Sequence, residues 1–254
     1  MVVTGGAGNL GREVMSALTN AGHEAVSASR RSGVDLRSGV GLAEILVGAD
    51  AVVHTADTLR PWEFRAVTLG ATRTLGLAVR RMPRPAHVVY ISIVGVDRHP
   101  YPYYRMKYAA EMALRELPIP VTVVRATQFH SLAAAMAGAR LGPVGLGMQR
   151  LRVRPVDIAW VGERLAQVAT GEGPKGFARA PDLAGPQEFT GEQIAERIAR
   201  HTGSRPRWRL DIPAVGATLR AFAEGVVLPG PGADLGGESF TQWLERQGPV
   251  LPRR

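Results

Sequence analysis

Five short apolar runs alternate with segments of helical spacing over the first half of this 254-residue chain, and the alternation constrains its fold more than any other feature. Met1–Thr4 leads through glycines into Leu10, Val14 and Leu18, three positions on one helical face closed by Gly22. The pattern then repeats. A strand is expected at Glu24–Ser29 with a helical stretch at Val40–Val47, and another at Ala51–His54 with a long helical pattern from Pro61 to Arg81. A strand at His87–Ile93, an amphipathic helix at Tyr103–Glu116 stopped near Pro118, and a fifth strand at Val121–Ala126 complete the series. Strands separated by helices pair in parallel through right-handed crossovers. The expectation is an α/β fold with a doubly wound parallel Rossmann sheet. A central first strand is ordinarily longer than the four residues found here.

After Thr127 the rhythm changes. An Ala-rich helical stretch runs to Arg140, Gly142–Gly147 has loop composition, Arg150–Val156 is strand-like, and Asp157–Thr170 has helical spacing. Gly171–Gly176 is a natural hinge, which divides a nucleotide-binding core, 1–171, from a small C-terminal substrate lobe, 172–254, within one structural unit. In that lobe Thr190 and Gln193 form a capping box for a helix at Thr190–His201. Gly248–Arg254 is expected to fray.

Composition narrows the function. An apolar content of 45% supports one such domain with a modest extra lobe. No apolar run approaches the roughly 18 residues of a membrane span, and no charged leader precedes the glycines, so a soluble cytoplasmic protein without a membrane partner is expected. The absence of cysteine excludes disulfides, thiolate nucleophiles and cysteine-ligated metals, and the histidines are scattered, so no metal site is expected. The formal charge of +9 raises the question of nucleic acid. Yet all the basic residues except Lys107 and Lys175 are arginines, dispersed and without interleaved aromatics, which fits a GC-rich genome better than a basic face. Trp62, Trp160, Trp208 and Trp243 are expected in the core or lining a pocket. Ser92 stands outside any nucleophile elbow, so no hydrolase triad is expected.

The chemistry-bearing residues lie where the βα turns place them. Gly5, Gly8 and Gly11 in TGGAGNLG sit between a strand and a helix, the context in which glycines let a backbone approach a pyrophosphate at a helix N-terminus. Gly5, Gly8, Asn9, Leu10 and Gly11 are therefore candidate cofactor contacts. About twenty residues on, where an acidic residue would bind the ribose of NAD, the chain has Ser29-Arg30-Arg31. Guanidinium and hydroxyl groups suit a 2′-phosphate, which favours NADP(H), although composition alone can also place an arginine there. Tyr103 and Lys107, one turn apart, share a helical face, so the ammonium can hold a cofactor ribose and depress the phenol pKa. Lys107 is one of only two lysines in the chain. Tyr104, about 100° around the helix, is expected to tolerate phenylalanine.

These segments, with DAVVHTA, VVYISIVGVD, VVRATQFH and RPVDIAWVGERLA, resemble the NmrA-like branch of the atypical short-chain dehydrogenase/reductases almost from end to end. The resemblance implies that Asp35 and Leu36 border the adenine and that His54, Thr55 and Ala56 run beneath the cofactor. It also implies that Thr127, Gln128, Phe129 and His130 lie beside the nicotinamide, with Phe129 and His130 touching substrate. Tyr103 would then be the proton donor, Ser92 would hydrogen-bond the same substrate oxygen, and Lys107 would fix the ribose. The expected activity is NADP(H)-dependent reduction of a hydrophobic carbonyl, quinone or conjugated small molecule by a monomer or homodimer. The alternative is a non-catalytic NADP(H)-binding redox sensor. The substrate pocket is expected between core and lobe, lined by Phe129, His130 and the loop after Gly138.

Overall fold

The computed structural model describes residues 1–137, 140–141, 144–206 and 208–248. Its main sheet is built from β1 (Val2–Thr4), β2 (Val26–Ala28), β3 (Ala51–His54), β4 (His87–Ile93) and β5 (Val121–Ala126), in the order β2-β1-β3-β4-β5. All of these pairings are parallel, with Val3 opposite Ser27 on one side and Val53 on the other. The sheet is doubly wound and Rossmann-like, and its strand order reverses between β1 and β3. Ligands of such sheets bind beyond the carboxyl ends of the strands at this switch point.

Side-chain alternation along the strands sets up two cores. Val88, Tyr90, Val121 and Val123 face one layer, where Leu75 and Val79 of α3 (Ala71–Arg80) and Ala110 and Leu114 of α4 (Pro102–Arg115) cover them. Val3, Val53, Val89 and Ile91 face the other, against Val14 and Leu18 of α1 (Asn9–Asn20) and Val161 and Leu165 of α6 (Ile158–Thr170). Asp157 caps α6 by accepting from the backbone amides of Ala159 and Trp160.

Several elements differ from the sequence expectation. The second strand pairs over three residues rather than six, and the helical stretch at 40–47 is a single turn, α2 (Leu42–Ile45). The helical pattern from Pro61 to Arg81 is broken into a 3₁₀ turn (Pro61–Glu63), a π-helical segment (Phe64–Gly70) and then α3. The wider π turn aims Phe64 and Thr68 at α4 and the end of β3, a use of irregular helix common near functional sites. The glycine-rich 142–147, read as a loop, contains β7 (Val144–Gly147), which pairs with β6 (Arg140–Leu141) and β12 (Trp208–Asp211); Gly142 and Pro143 lie outside the described residues. Pairing to a distant strand overrides the local glycine signal. The expected strand at 150–156 shrinks to β8 (Arg152–Val153).

The lobe interleaves with the core instead of following it. Beyond the 171–176 hinge, β9 (Phe177–Arg179) and β10 (Leu183–Ala184) both pair with β5, and β13 (Asp234–Leu235) extends the same sheet. Conversely, α5 (His130–Ala137) and β8, from before the hinge, share a third apolar cluster with α7 (Gly191–Thr202), α8 (Ala217–Ala223) and α9 (Phe240–Arg246). A cut at 171 therefore separates neither layers nor cores. Thr190 caps α7 through the capping box with Gln193, and β11 (Phe189–Thr190) pairs with β8. Trp160 and Trp243 pack on apolar clusters, but Trp62 is 79% exposed and Trp208 64% exposed, contrary to a core assignment for all four. Residues 249–254 of the expected frayed end lie outside the described residues.

Candidate active site

The turn after β1 is shaped by contacts that leave no room for side chains. Gly5 has a φ of +71°, and a Cβ on it would sit 2.7 Å from the Ala56 Cα; a Cβ on Gly11 would sit 2.2 Å from the Gly5 carbonyl oxygen. Both positions demand glycine, one for conformation and one for close approach. Ala7, Gly8 and Asn9 are exposed at the start of α1; the Gly8 amide donates to the Gly5 carbonyl at 2.8 Å, and the first turn of the helix with its dipole favours an anion. Leu10 turns inward to the core. Arg12 fastens the turn by donating to the Ala7 carbonyl and to Asn9 Oδ1, both at 2.8 Å.

At the end of β2, Ser29 opens a 3₁₀ turn over Arg30–Ser32. The Ser32 hydroxyl accepts from the Ser29 amide at 2.9 Å, which fixes the turn, while Arg30 and Arg31 stay exposed with no ion pair among the described residues. Two free guanidiniums thus stand beside the switch point. Asp35 is turned to its own loop, accepting from the Arg37 amide, and Leu36 packs on the first core.

His54 is fully buried. Thr72 gives its only hydroxyl hydrogen to the Thr68 carbonyl, so His54 Nε2–H donates to Thr72 Oγ1 at 2.9 Å and Nδ1 accepts from the Thr4 hydroxyl at 2.6 Å. Burial, then the Lys107 charge, push its pKa down to about 3, so the ring is neutral. With both nitrogens engaged and no exposed surface, His54 braces β1 against α3 and offers a cofactor no atom, unlike the contact expected of it. Thr55 doubles the brace, its amide and hydroxyl both donating to the Thr4 carbonyl, and Ala56 lies against Gly5.

The residue that follows is central to the site. Asp57 Oδ2 accepts from the Tyr103 hydroxyl at 2.7 Å and lies 3.1 Å from Lys107 Nζ. Its Oδ1 accepts from the Thr68 hydroxyl at 2.7 Å and the Thr58 amide at 2.8 Å. Lys107 is 2% exposed and also donates to the Ile91 carbonyl of β4 at 2.7 Å, with its ammonium 4.4 Å from the Tyr90 ring centre. The Phe64 ring packs against Tyr103 at 5.1 Å. Burial lowers the Lys107 pKa but Asp57 more than restores it, so the ammonium is firmly charged. Burial raises the Asp57 pKa, and Lys107 with the three hydrogen bonds outweighs it, so the carboxylate is ionised.

For Tyr103 the outcome reverses the sequence expectation. Burial raises its pKa, Lys107 lowers it, and the Asp57 charge and hydrogen bond raise it again, leaving it above the ordinary phenol value. The ammonium is at hand, but a carboxylate shares it.

Ser92 is 3% exposed on β4, and its hydroxyl has no hydrogen-bond partner among the described residues. An orphaned buried hydroxyl costs about 1–3 kcal/mol unless something else satisfies it. Beyond β5, Thr127 donates to the Arg154 carbonyl, and Gln128 donates to the Tyr104 hydroxyl at 3.2 Å while its own carbonyl oxygen is unpartnered. Tyr104 is therefore a buried acceptor, not the indifferent neighbour expected from its helical angle. Phe129 is half-buried. His130 Nε2 contacts the Glu238 carbonyl at 3.1 Å, and its ring packs on Phe240 and Trp243, which ties α5 to α9. Gly138, where the expected pocket loop begins, lies outside the described residues.

Sequence reasoning missed Asp57, Arg12 and Glu111. The last follows Tyr103 and Lys107 at the same four-residue interval on α4, and it forms a bidentate pair with Arg125 of β5. That spacing, a charged residue every turn on a face otherwise turned to the sheet, was the available signal. Nothing local marks Asp57.

No family model matches the chain. It is 29% identical over 268 aligned positions, spanning 97% of this chain and 86% of the relative, to a (4-alkanoyl-5-oxo-2,5-dihydrofuran-3-yl)methyl phosphate reductase of Streptomyces griseus subsp. griseus. Among solved structures, it superposes on an NADPH-dependent quinone oxidoreductase of Escherichia coli complexed with NADPH, with a TM-score of 0.76, 16% identity and coverage of 97% and 99% of the two chains. It also superposes on the UDP-glucose 4-epimerase of Brucella ovis in complex with NAD, with a TM-score of 0.72, 18% identity and coverage of 98% and 96%. A dTDP-4-dehydrorhamnose reductase of Bacillus anthracis in complex with NADP gives 0.65 at 15% identity, covering 96% of each chain. The fold is that of the NAD(P)-binding reductases and epimerases of the atypical short-chain dehydrogenase/reductase type. Among the described residues no helix is long and apolar enough to cross a membrane.

Proposed function

We propose that the chain is a cytoplasmic NADP(H)-dependent reductase acting on a hydrophobic carbonyl, quinone or conjugated small molecule. The observation that carries this reading is the meeting of Tyr103 and Lys107 on Asp57, next in sequence to the Ala56 that packs on Gly5 of the glycine turn, with Lys107 also bonded to β4 at Ile91, the neighbour of the unsatisfied Ser92. The residues fit a dinucleotide. The exposed amides after Gly6 would hold the pyrophosphate, Arg30 and Arg31 with Ser29 a 2′-phosphate, and Lys107 the ribose next to the nicotinamide. The relative from Streptomyces, a reductase of an unsaturated lactone, supports the choice of reduction over epimerisation.

The reduced nicotinamide supplies the hydride. The protein's part is to orient the substrate oxygen on Ser92, to hold the charge of Lys107 where negative charge develops, and to manage the Tyr103 proton. The substrate would lie between the strand ends and the lobe, with the half-buried Phe129 as its apolar wall. His130 supports that wall from behind through α9. NADPH oxidation by the purified chain with quinones, aldehydes, ketones and unsaturated lactones tests the reading, together with nucleotide titration. Turnover of at least one acceptor with NADPH is expected. Tight nucleotide binding without turnover across the panel would assign a redox sensor instead, and no nucleotide binding would overturn both.

A further inference from the structure

We propose that Asp57 is a positioning residue that governs the proton of this site: its Oδ2 holds the Tyr103 hydrogen and the Lys107 ammonium together, so the phenol stays protonated and gives up its hydrogen only when that bond breaks. This rests on the reductase reading for its consequence, though not for its geometry. Each carboxylate oxygen has two partners, Tyr103 and Lys107 on one, Thr68 and Thr58 on the other. A carboxyl with all its strong acceptor directions filled is held in one orientation. Its side chain is only 21% exposed, so water competes weakly for it.

The groups facing the phenol come from every neighbouring element. Asp57 follows β3, Tyr90 projects from β4, Lys107 comes from the same helix, and the π-helical segment adds the Phe64 ring and, through Asp57, the Thr68 hydroxyl. Of these, Lys107 favours the phenolate, and Asp57 opposes it by charge and by accepting the hydrogen. A phenolate formed here would face a carboxylate across a hydrogen-bond distance. Tyr103 is thus a weaker acid than the Tyr-Lys pair alone would make it.

The chemical consequence falls on the acceptor. Reducing an isolated ketone places a full charge on one oxygen, which then needs the phenol hydrogen: the Tyr103 O–H bond breaks as the substrate O–H bond forms, and solvent later reprotonates the phenolate. A quinone or enone spreads that charge over a conjugated system and can wait for a solvent proton. With Asp57 in place the site favours the second kind of acceptor, and Asp57 sets the ratio.

The test begins with nucleotide-free protein and needs no substrate. Tyrosinate absorbance is followed against pH for the wild type and Asp57→Asn, each with and without Tyr103→Phe, and the paired difference isolates Tyr103. In the wild type no Tyr103 signal is expected below about pH 11, whereas in Asp57→Asn it should appear at least about one pH unit lower than in the wild type. Asp57→Glu, which keeps the charge, should restore the high value. A Tyr103 signal at the same pH in wild type and a folded Asp57→Asn would overturn the proposal. Should Asp57→Asn fail to fold, the wild type decides alone: the carboxylate-bound Tyr103 hydroxyl should give a downfield proton resonance that Tyr103→Phe lacks, and its absence sinks the idea.

With NADPH present, rates on 1,4-benzoquinone and cyclohexanone are then compared. Asp57→Asn should raise the ketone-to-quinone ratio at least about tenfold, and Tyr103→Phe should lower ketone turnover by about 10²- to 10⁴-fold and quinone turnover by a much smaller factor. An unchanged ratio overturns the role assigned to Asp57 even if the titration moves. Failure of every variant and the wild type to oxidise NADPH with either acceptor would defeat the reductase reading, leaving Asp57 to be judged on the titration.

Discussion

Arg30 and His54 illustrate how differently two residues near the proposed cofactor site can act. Arg30 is exposed at the end of β2 with its guanidinium unpaired among the described residues, so its energetic role waits on a ligand. A charge-assisted hydrogen bond contributes about 1.5–3 kcal/mol, so Arg30→Ala should weaken NADPH binding about 10- to 150-fold and leave NADH nearly unchanged. Fluorescence titration with both nucleotides checks this, and equal losses would make Arg30 structural. His54 acts on the fold itself. Its folded pKa of about 3 lies below the ordinary 6.5, so the neutral ring's contribution is complete above about pH 6.5 and is lost as the pH falls toward 3. The loss amounts to roughly 1.4 kcal/mol per pH unit in that window. His99, buried against Tyr104 and Phe222 and pushed down to about 4, adds a slope of the same sign. Urea unfolding near pH 7.5 and near pH 5.5 should show a steeper loss for the wild type than for His54→Gln.

At the scale of elements, the turn from β1 into α1 works because the helix can approach the strand end closely. Gly11→Ala would place a methyl group 2.2 Å from the Gly5 carbonyl oxygen, with backbone rather than a flexible side chain in the way. The start of α1 must then shift away from β1, taking the exposed residues Ala7, Gly8 and Asn9 with it. Overpacking of this kind costs about 1–3 kcal/mol. Gly11→Ala should therefore lower the melting temperature and weaken NADPH and NADH alike, a pattern distinct from that of Arg30→Ala. A helix loss confined to stability, with nucleotide affinity intact, would separate the turn from the cofactor. The π-helical segment makes the complementary point. An uninterrupted α-helix from Pro61 would rotate Phe64 and Thr68 relative to Leu75 and Val79, and the contacts to Tyr103 and Asp57 depend on that rotation.

Across the whole molecule, an ion cluster centred on the buried Arg125–Glu111 pair joins the core to the segment that leads into the site. Arg125 on β5 donates to both Glu111 oxygens, at 2.9 and 2.7 Å, and to Asp97 Oδ1 at 3.0 Å, with Glu111 fully buried. Asp97 belongs to the turn between β4 and α4, so Arg125 clamps both ends of the connection that carries Tyr103 and Lys107 over the sheet. Removing one member of a buried pair typically costs about 3–5 kcal/mol, because the other charge remains without compensation. Glu111→Ala should destabilise the chain by that order in denaturant unfolding. Replacing Arg125 and Glu111 together with apolar residues of similar size should cost less than Glu111→Ala alone. An additive result in that double-mutant cycle would show that the two charges do not act as a unit.

The strand-helix alternation, the glycine turn, the arginines after the second strand and the Tyr-Lys pair were legible because each depends on residues close together in sequence. Periodicity reports which face a residue takes, and β4 and β5 run over the very residues their apolar runs marked. The tertiary structure alone decided what those faces meet. Asp57 reaches Tyr103 across 46 positions, and no local pattern distinguishes it from an ordinary loop carboxylate. The same holds for β7, a glycine-rich stretch that became a strand because β12 lies beside it, and for His54, which is buried in a chain of hydroxyls from Thr4 and Thr72. The pairing of Tyr103 with Lys107 on one helical face could be read from spacing. The proton affinity of Tyr103 could not, because that is set by burial and by the sum of charges brought near it, quantities that exist only once the chain has folded.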